Sequence, residues 1–181
     1  MSQSETKEKL IKSAIKLFSE KSYFQTKISD IVKEAGVAQG TFYIYFKSKE
    51  DILLAIVKTI VNEILKITDT YQKKPLPPQE KVWLFSRDIF TLLYFYKEIA
   101  HIFFFQLFCI NEEFKRLYYE TSKEIHSFLK DTLKNNIIAD VLFGFGEKLL
   151  KFDLLLENKP LEATLEKLKD GIYITLNGFQ K

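Results

Sequence analysis

Cysteine, methionine, tryptophan, histidine, glycine and proline are all scarce in this 181-residue chain. One cysteine, Cys109, excludes an internal disulfide framework and any zinc site built from several cysteines. In its apolar run it reads as a small core residue. Two histidines and no G-x-S-x-G, H-E-x-x-H or phosphate loop leave no catalytic constellation. The expectation is therefore no enzyme, no metal and no cofactor. No apolar run reaches membrane length, since the longest, Ile102–Ile110, is about half of what a span needs and contains Gln106. The N-terminus "MSQSETKEKL" has no apolar h-region, so a cytoplasmic protein without a signal peptide is expected.

Six glycines and four prolines leave long uninterrupted stretches, and those stretches carry helical spacing rather than strand alternation. The chain reads as all-α, with about nine helices. The first covers Thr6–Ser19, with Leu10, Ala14, Leu17 and Phe18 on one face. A second runs from Lys27 to Ala35, with Thr26 as its expected N-cap and Gly36 as its left-handed stop. A third spans 38–46. Ser48 caps a fourth, with Asp51 three residues on, and that helix continues to Tyr71. "KKPLPP" at 73–78 is the clearest linker. Further helices are expected at 79–96, 98–109, 112–135, 138–156 and 161–179.

The small net charge of +3 is unevenly placed. Residues 1–50 carry nine lysines against six acids, and the remainder is balanced. That points to a polyanion at the N-terminal end. Two short helices meeting at a glycine follow the helix-turn-helix plan. At about 100° per residue, Phe42 and Phe46 share an inward face with Val37, while Gly40, Thr41 and Ile44 point away. Gln39 and Tyr43 lie on one flank and Tyr45 on the other. Such a surface suits a DNA groove. Gly40 allows close backbone approach, and the free N–H groups around Ala38 favour phosphate. Gln39 is fit to read adenine, Thr41 a base edge and Ile44 a thymine methyl. Tyr43 and Tyr45 are fit to bond phosphates, as is Lys49. Lys27, Ser29 and Lys33 lie on the polar side of the second helix.

The stretch "TKISDIVKEAGVAQGTFYIYFKSKEDIL", Thr26 to Leu53, resembles the DNA-binding segment of the TetR family of transcriptional regulators. It matches that family's pattern at Thr26, Asp30, Ile31, Ala35, Gly36, Val37, Gly40, Thr41, Tyr43, Tyr45, Phe46, Ser48, Lys49, Glu50 and Leu53. It departs at Lys27, where a second Thr is frequent, and at Ser22, where Gly is frequent. It departs again at Ala38, where Ser usually caps the third helix. Alanine has no capping side chain, at a cost of about 1 kcal/mol. The resemblance covers roughly the first 55 residues.

From residue 51 onward the chain is electrically balanced and rich in rings. One reading is a cavity for an apolar or aromatic small molecule, lined by Phe85, Phe90, Tyr94, Phe104 and Phe105, with His101, Gln106, Tyr118 and Tyr119 as its polar groups. The other is that the rings fill a core. The resemblance adds that the C-terminal helices bind an effector and pair with a second copy as a four-helix bundle. Phe143, Phe145, Leu149, Phe152, Leu156, Ile172, Leu176 and Phe179 are the interface candidates it implies. The division expected is residues 1–50 for DNA and 51–181 for effector and dimer. The function expected is a homodimeric repressor on a palindromic operator, released by an apolar or aromatic effector. An activator, a regulator without effector and a lipid-binding helical protein are the alternatives, and no membrane partner is expected.

Overall fold

The structure, a computed structural model, describes residues 3–178. Among the described residues there are helices and no strand. In order they are α1 (Gln3–Lys21), α2 (Ile28–Ala35), α3 (Gln39–Tyr45), α4 (Lys49–Lys73), α5 (Pro78–Phe95), α6 (Lys97–Phe105), α7 (Glu112–Leu133), α8 (Asn136–Lys148) and α9 (Leu161–Gly178). A 3-10 turn, Leu107–Cys109, follows α6, and a π-helical stretch, Leu149–Leu156, continues α8. The chain forms two compact units. One holds the chain up to Ile60 together with Glu98–Lys115, and the other holds Val61–Lys97 and Arg116 onward. The α6 segment thus clusters with the helix-turn-helix, a grouping that periodicity does not reveal.

In the first unit α1 packs on α2 and α2 on α3. Leu10, Ala14, Leu17 and Phe18 of α1 are buried, as are Ile31, Val32, Phe42 and Phe46. These are the apolar faces read from the 3.6-residue period. Gly36 stops α2 as expected, at φ 68, with its N–H on Lys33 O and that of Val37 on Val32 O. This is the bond pair of a Schellman cap, which needs a residue at ease in the left-handed region. Ser48 Oγ accepts from Asp51 N at 3.2 Å and so caps α4.

Thr26 does not cap α2. Its hydroxyl turns back to donate to Leu17 O and Ser22 O, and the N-cap position is Lys27, whose N–H donates to the Asp30 carboxylate at 3.1 Å. The helix expected over 98–109 ends at Phe105, where the Gln106 side chain turns away to bond distant backbone. Cys109, expected in the core, is exposed in the 3-10 turn that results.

In the second unit α9 packs on α5 and α8. Gly171 permits close approach, since a Cβ there would lie 2.2 Å from Phe145 Cε1. Asn135 caps α8 by accepting from Ile138 N at 3.1 Å. The π-helical stretch turns Asp153 fully inward, where one carboxylate takes bonds from Lys148, Lys159 and Lys167. Those three lysines come from the end of α8, the loop and α9, so one buried anion gathers the whole hairpin.

Lys148 first, then Lys167 and Lys159, hold the Asp153 carboxyl well below the usual carboxylate range, against the opposing effect of burial. A carboxylate with a depressed folded-state pKa contributes stability above its unfolded pKa, and that contribution fades as pH falls toward the folded value. Asp153→Asn is expected to cost on the order of 2 kcal/mol at pH 7, because each lysine is about half exposed and can return to water. The gap between variant and wild type should narrow below about pH 4, in urea unfolding followed by circular dichroism at fixed protein concentration.

Candidate nucleic-acid interface

A seven-residue helix has almost no stability of its own, so α3 must be held from outside. Phe42 and Phe46 do this. Both are buried, with their ring centroids 5.8 Å apart. The opposite face is open. Gln39 and Gly40 are exposed, Ile44 is 72% exposed and Tyr43 53% exposed, while Thr41 and Tyr45 are half-buried. Two bulky apolar-bodied side chains left in water beside a glycine, on so short a helix, make a surface rather than a core. Lys27 at the N-cap of α2 and Ser29 and Lys33 on that helix are exposed, and Lys47 is exposed after α3.

Ala38 takes the extended N-cap conformation of α3 without a capping side chain. Its carbonyl accepts from Thr41 N at 2.9 Å. The remaining first-turn N–H groups of α3 have no side-chain oxygen at the cap, which leaves the turn with donors to offer a phosphate.

Lys49 is placed differently from a free phosphate contact. Its ammonium donates to Tyr23 O at 2.8 Å and Thr26 O at 2.9 Å, and lies 4.1 Å from the centroid of the Tyr23 ring. Burial pulls its pKa below the ordinary lysine value, with Glu50 pulling the other way. Two of its three protons are spent inside the protein. The Tyr23 hydroxyl donates to Glu50 Oε1 at 2.7 Å. Burial and then Glu50 push that phenol well above its usual range, and the same bond holds Glu50 low. Sequence reading gave Tyr23 no role, because the bonds that reach it come from residues 26, 27 and 83 positions away.

The effector candidates divide between the units. Phe85 and Phe90 are buried in the second, and the Phe85 ring lies 4.1 Å from that of Phe128. Tyr94 lies at the edge of exposure. Tyr118 and Tyr119 border an open groove of about 350 Å³ with Ser122, Lys123, His126, Phe143 and Glu147. There Tyr118 OH donates to Glu147 and accepts from Lys151. His101, Phe104, Phe105 and Gln106 belong to the first unit. His101 Nδ1 is buried with no hydrogen-bond partner, its ring 4.8 Å from Phe105, and burial lowers its pKa. Gln106 gives both ends of its amide to backbone.

Among the dimer candidates, Phe152 and Leu156 are exposed, and Phe143, Phe145 and Leu176 are half-buried. Leu149 and Ile172 are core residues of the second unit. The π-helical stretch, with its i→i+5 bonds, shifts the faces that a 3.6-residue period assigns. Ile137, Val141, Tyr173 and Ile174 are exposed on the same two helices and escaped the sequence reading. Phe179 lies outside the described residues.

Two family signatures match the chain. "Bacterial regulatory proteins, tetR family" covers residues 10–56, and "Tetracyclin repressor-like, C-terminal domain" covers residues 80–175. A transcriptional regulator from Aquifex aeolicus is 30% identical with a TM-score of 0.78, over 93% of this chain and 98% of that one. The biofilm operon negative regulator IcaR of Staphylococcus aureus is 27% identical over 97% of this chain and 99% of its own length. The fatty acid metabolism regulator of Bacillus subtilis is 37% identical over 84 residues, which span 46% of this chain and 43% of that protein. A structure of FadR from that organism, in complex with stearoyl-CoA, has a TM-score of 0.75 at 23% identity, over 96% of this chain and 99% of that one.

The bare N-cap of α3 is testable in isolation. Ala38→Ser supplies the missing oxygen and is expected to stabilise the protein by about 1 kcal/mol in urea unfolding. No gain would mean that α3 is already capped in solution.

Proposed function

Because the chain belongs to the TetR family of helix-turn-helix transcriptional regulators, we propose that it acts as a homodimeric repressor on a palindromic operator and that α3 is its reading helix. The observation that carries this is the split of the α3 aromatics, with Phe42 and Phe46 buried and Tyr43 and Ile44 open to solvent. In this reading Gln39, Thr41 and Ile44 meet base edges in the major groove. Tyr43, Tyr45, Lys27, Ser29, Lys33 and the backbone at Ala38 and Gly40 meet sugar and phosphate. Lys49 adds its one uncommitted proton. Residues 1–50 form the DNA-binding part and 51–181 the part that pairs and responds. Two copies joined through α8 and α9 would present two α3 helices to successive major grooves, about 34 Å apart.

An apolar or aromatic small molecule is the proposed effector. It releases DNA only to the extent that it binds the DNA-incompetent pose more tightly. The ring-rich second unit supports this class, as does the groove beside Tyr118 and Tyr119. FadR holds stearoyl-CoA on the same fold, which makes that compound a suitable first probe.

The operator is to be selected by the wild-type protein from a library of randomised 30-base-pair duplexes. In fluorescence anisotropy, Tyr43→Phe is expected to weaken binding about fivefold through one lost phosphate bond. Lys33→Gln is expected to weaken it and to lower the slope of log K against log salt by about one ion. Gln39→Ala should relax base preference at one position per half-site. If all three bind as wild type does, α3 is not the reading helix.

Stearoyl-CoA at micromolar concentration is expected to release the selected duplex, and free coenzyme A is not. Release by neither removes the long-chain acyl group as effector while leaving the DNA reading in place.

A further inference from the structure

We propose that Gln106 is a positioning residue for DNA recognition, acting by fastening the turn between α1 and α2 to the end of α6. The proposal rests on the DNA-binding reading above. Gln106 is buried, and both ends of its amide are used. Its Oε1 accepts from Tyr23 N at 2.7 Å, and its Nε2 donates to Phe18 O at 3.2 Å. Phe18 lies in the last turn of α1, where carbonyls have no intrahelical partner. Tyr23 N lies past the end of that helix and also lacks one. A single side chain therefore supplies the missing donor and the missing acceptor at one helix terminus.

The backbone it holds is strained. Ser22 adopts φ 73, a left-handed conformation that is unfavourable for a non-glycine residue. Such a turn persists when its surroundings over-determine it. Here Gln106 takes Tyr23 N and Phe18 O, Lys49 takes Tyr23 O and Thr26 O, and Glu50 takes the Tyr23 hydroxyl. Thr26 closes back on Leu17 O and Ser22 O. The turn delivers the chain to Lys27, the N-cap of α2, and α2 carries α3. Its pose is thus the pose of the reading helix. Both bonds of Gln106 go to the end of α1 and the turn after it, and the amide is neutral, so its effect on DNA binding is geometric and not electrostatic.

Gln106→Met keeps the volume and removes both bonds. The variant is expected to remain folded at the assay temperature and to bind the selected duplex about tenfold more weakly. The slope of log K against log salt should stay at the wild-type value, because no phosphate contact is lost. Hydrogen exchange followed by mass spectrometry should show faster exchange over residues 19–36. In a double-mutant cycle with Lys49→Met the losses should be non-additive, since both side chains hold the backbone of the same residue, Tyr23. Should Gln106→Met fail to fold, Gln106→Asn, too short to keep both bonds, is read by the same measurements.

Binding within twofold of wild type by a folded variant overturns the proposal, and so does a salt slope lowered by about one ion. If wild-type protein enriches no duplex, the DNA reading fails by itself. Exchange over residues 19–36 then decides the fastening, and wild-type exchange there overturns it.

Discussion

Short helices do not stand alone, and the part of this protein proposed to face DNA is made of two of them, with eight and seven residues. Everything that α3 offers to a groove depends on the burial of Phe42 and Phe46 behind it. Each ring removes a large apolar area from water, worth roughly 2–3 kcal/mol. Two rings on a seven-residue helix fix its rotation about its own axis. That rotation is what exposes Tyr43 and Ile44. A polar surface and an aromatic cluster in one stretch are therefore a single design, because the surface exists only where the anchor places it.

Apolar packing sets which face is inward but does not fix the turn that joins α1 to α2. There the work passes to hydrogen bonds with buried or half-buried ends. Lys49 is the clearest case. A lysine in an exposed position gains little from a pairing. Held against two carbonyls and the face of an aromatic ring, it ties α4 to a backbone segment more than twenty residues earlier. Its ammonium fixes the turn with two of its protons. The same division of labour appears in the second unit, where the Asp153 carboxylate gathers lysines from three segments. In both places one charged group organises backbone that apolar contacts leave loose.

The fold class and the helix-turn-helix were legible because they rest on local rules. The 3.6-residue period marked the buried faces of α1, α2 and α3, Gly36 marked a left-handed stop, and Ser48 marked a cap. The departures from pattern were legible too, since Ala38 is an N-cap without a capping oxygen and Ser22 is forced into the region glycine prefers. What did not show was anything set by long-range bonds. Thr26 reads as a cap from its neighbours, yet its hydroxyl is taken by the end of α1. Gln106 reads as a polar group in a ring-lined cavity, yet its amide serves backbone more than eighty residues away. Leu149, read as an interface candidate, is buried in the second unit at the start of the π-helical stretch, a register that a 3.6-residue wheel does not describe.

The proposed pairing of two copies follows from what that register leaves outside. Ile137, Val141, Phe152 and Leu156 on α8 and its continuation, with Tyr173 and Ile174 on α9, are large apolar side chains in water. Single exposed hydrophobics need no partner, but six on two helices that pack together are what the proposed pairing would cover. In the proposed dimer a surface of two helices would meet its own copy about a two-fold axis, an arrangement in which the same residues face each other and no new chemistry is needed.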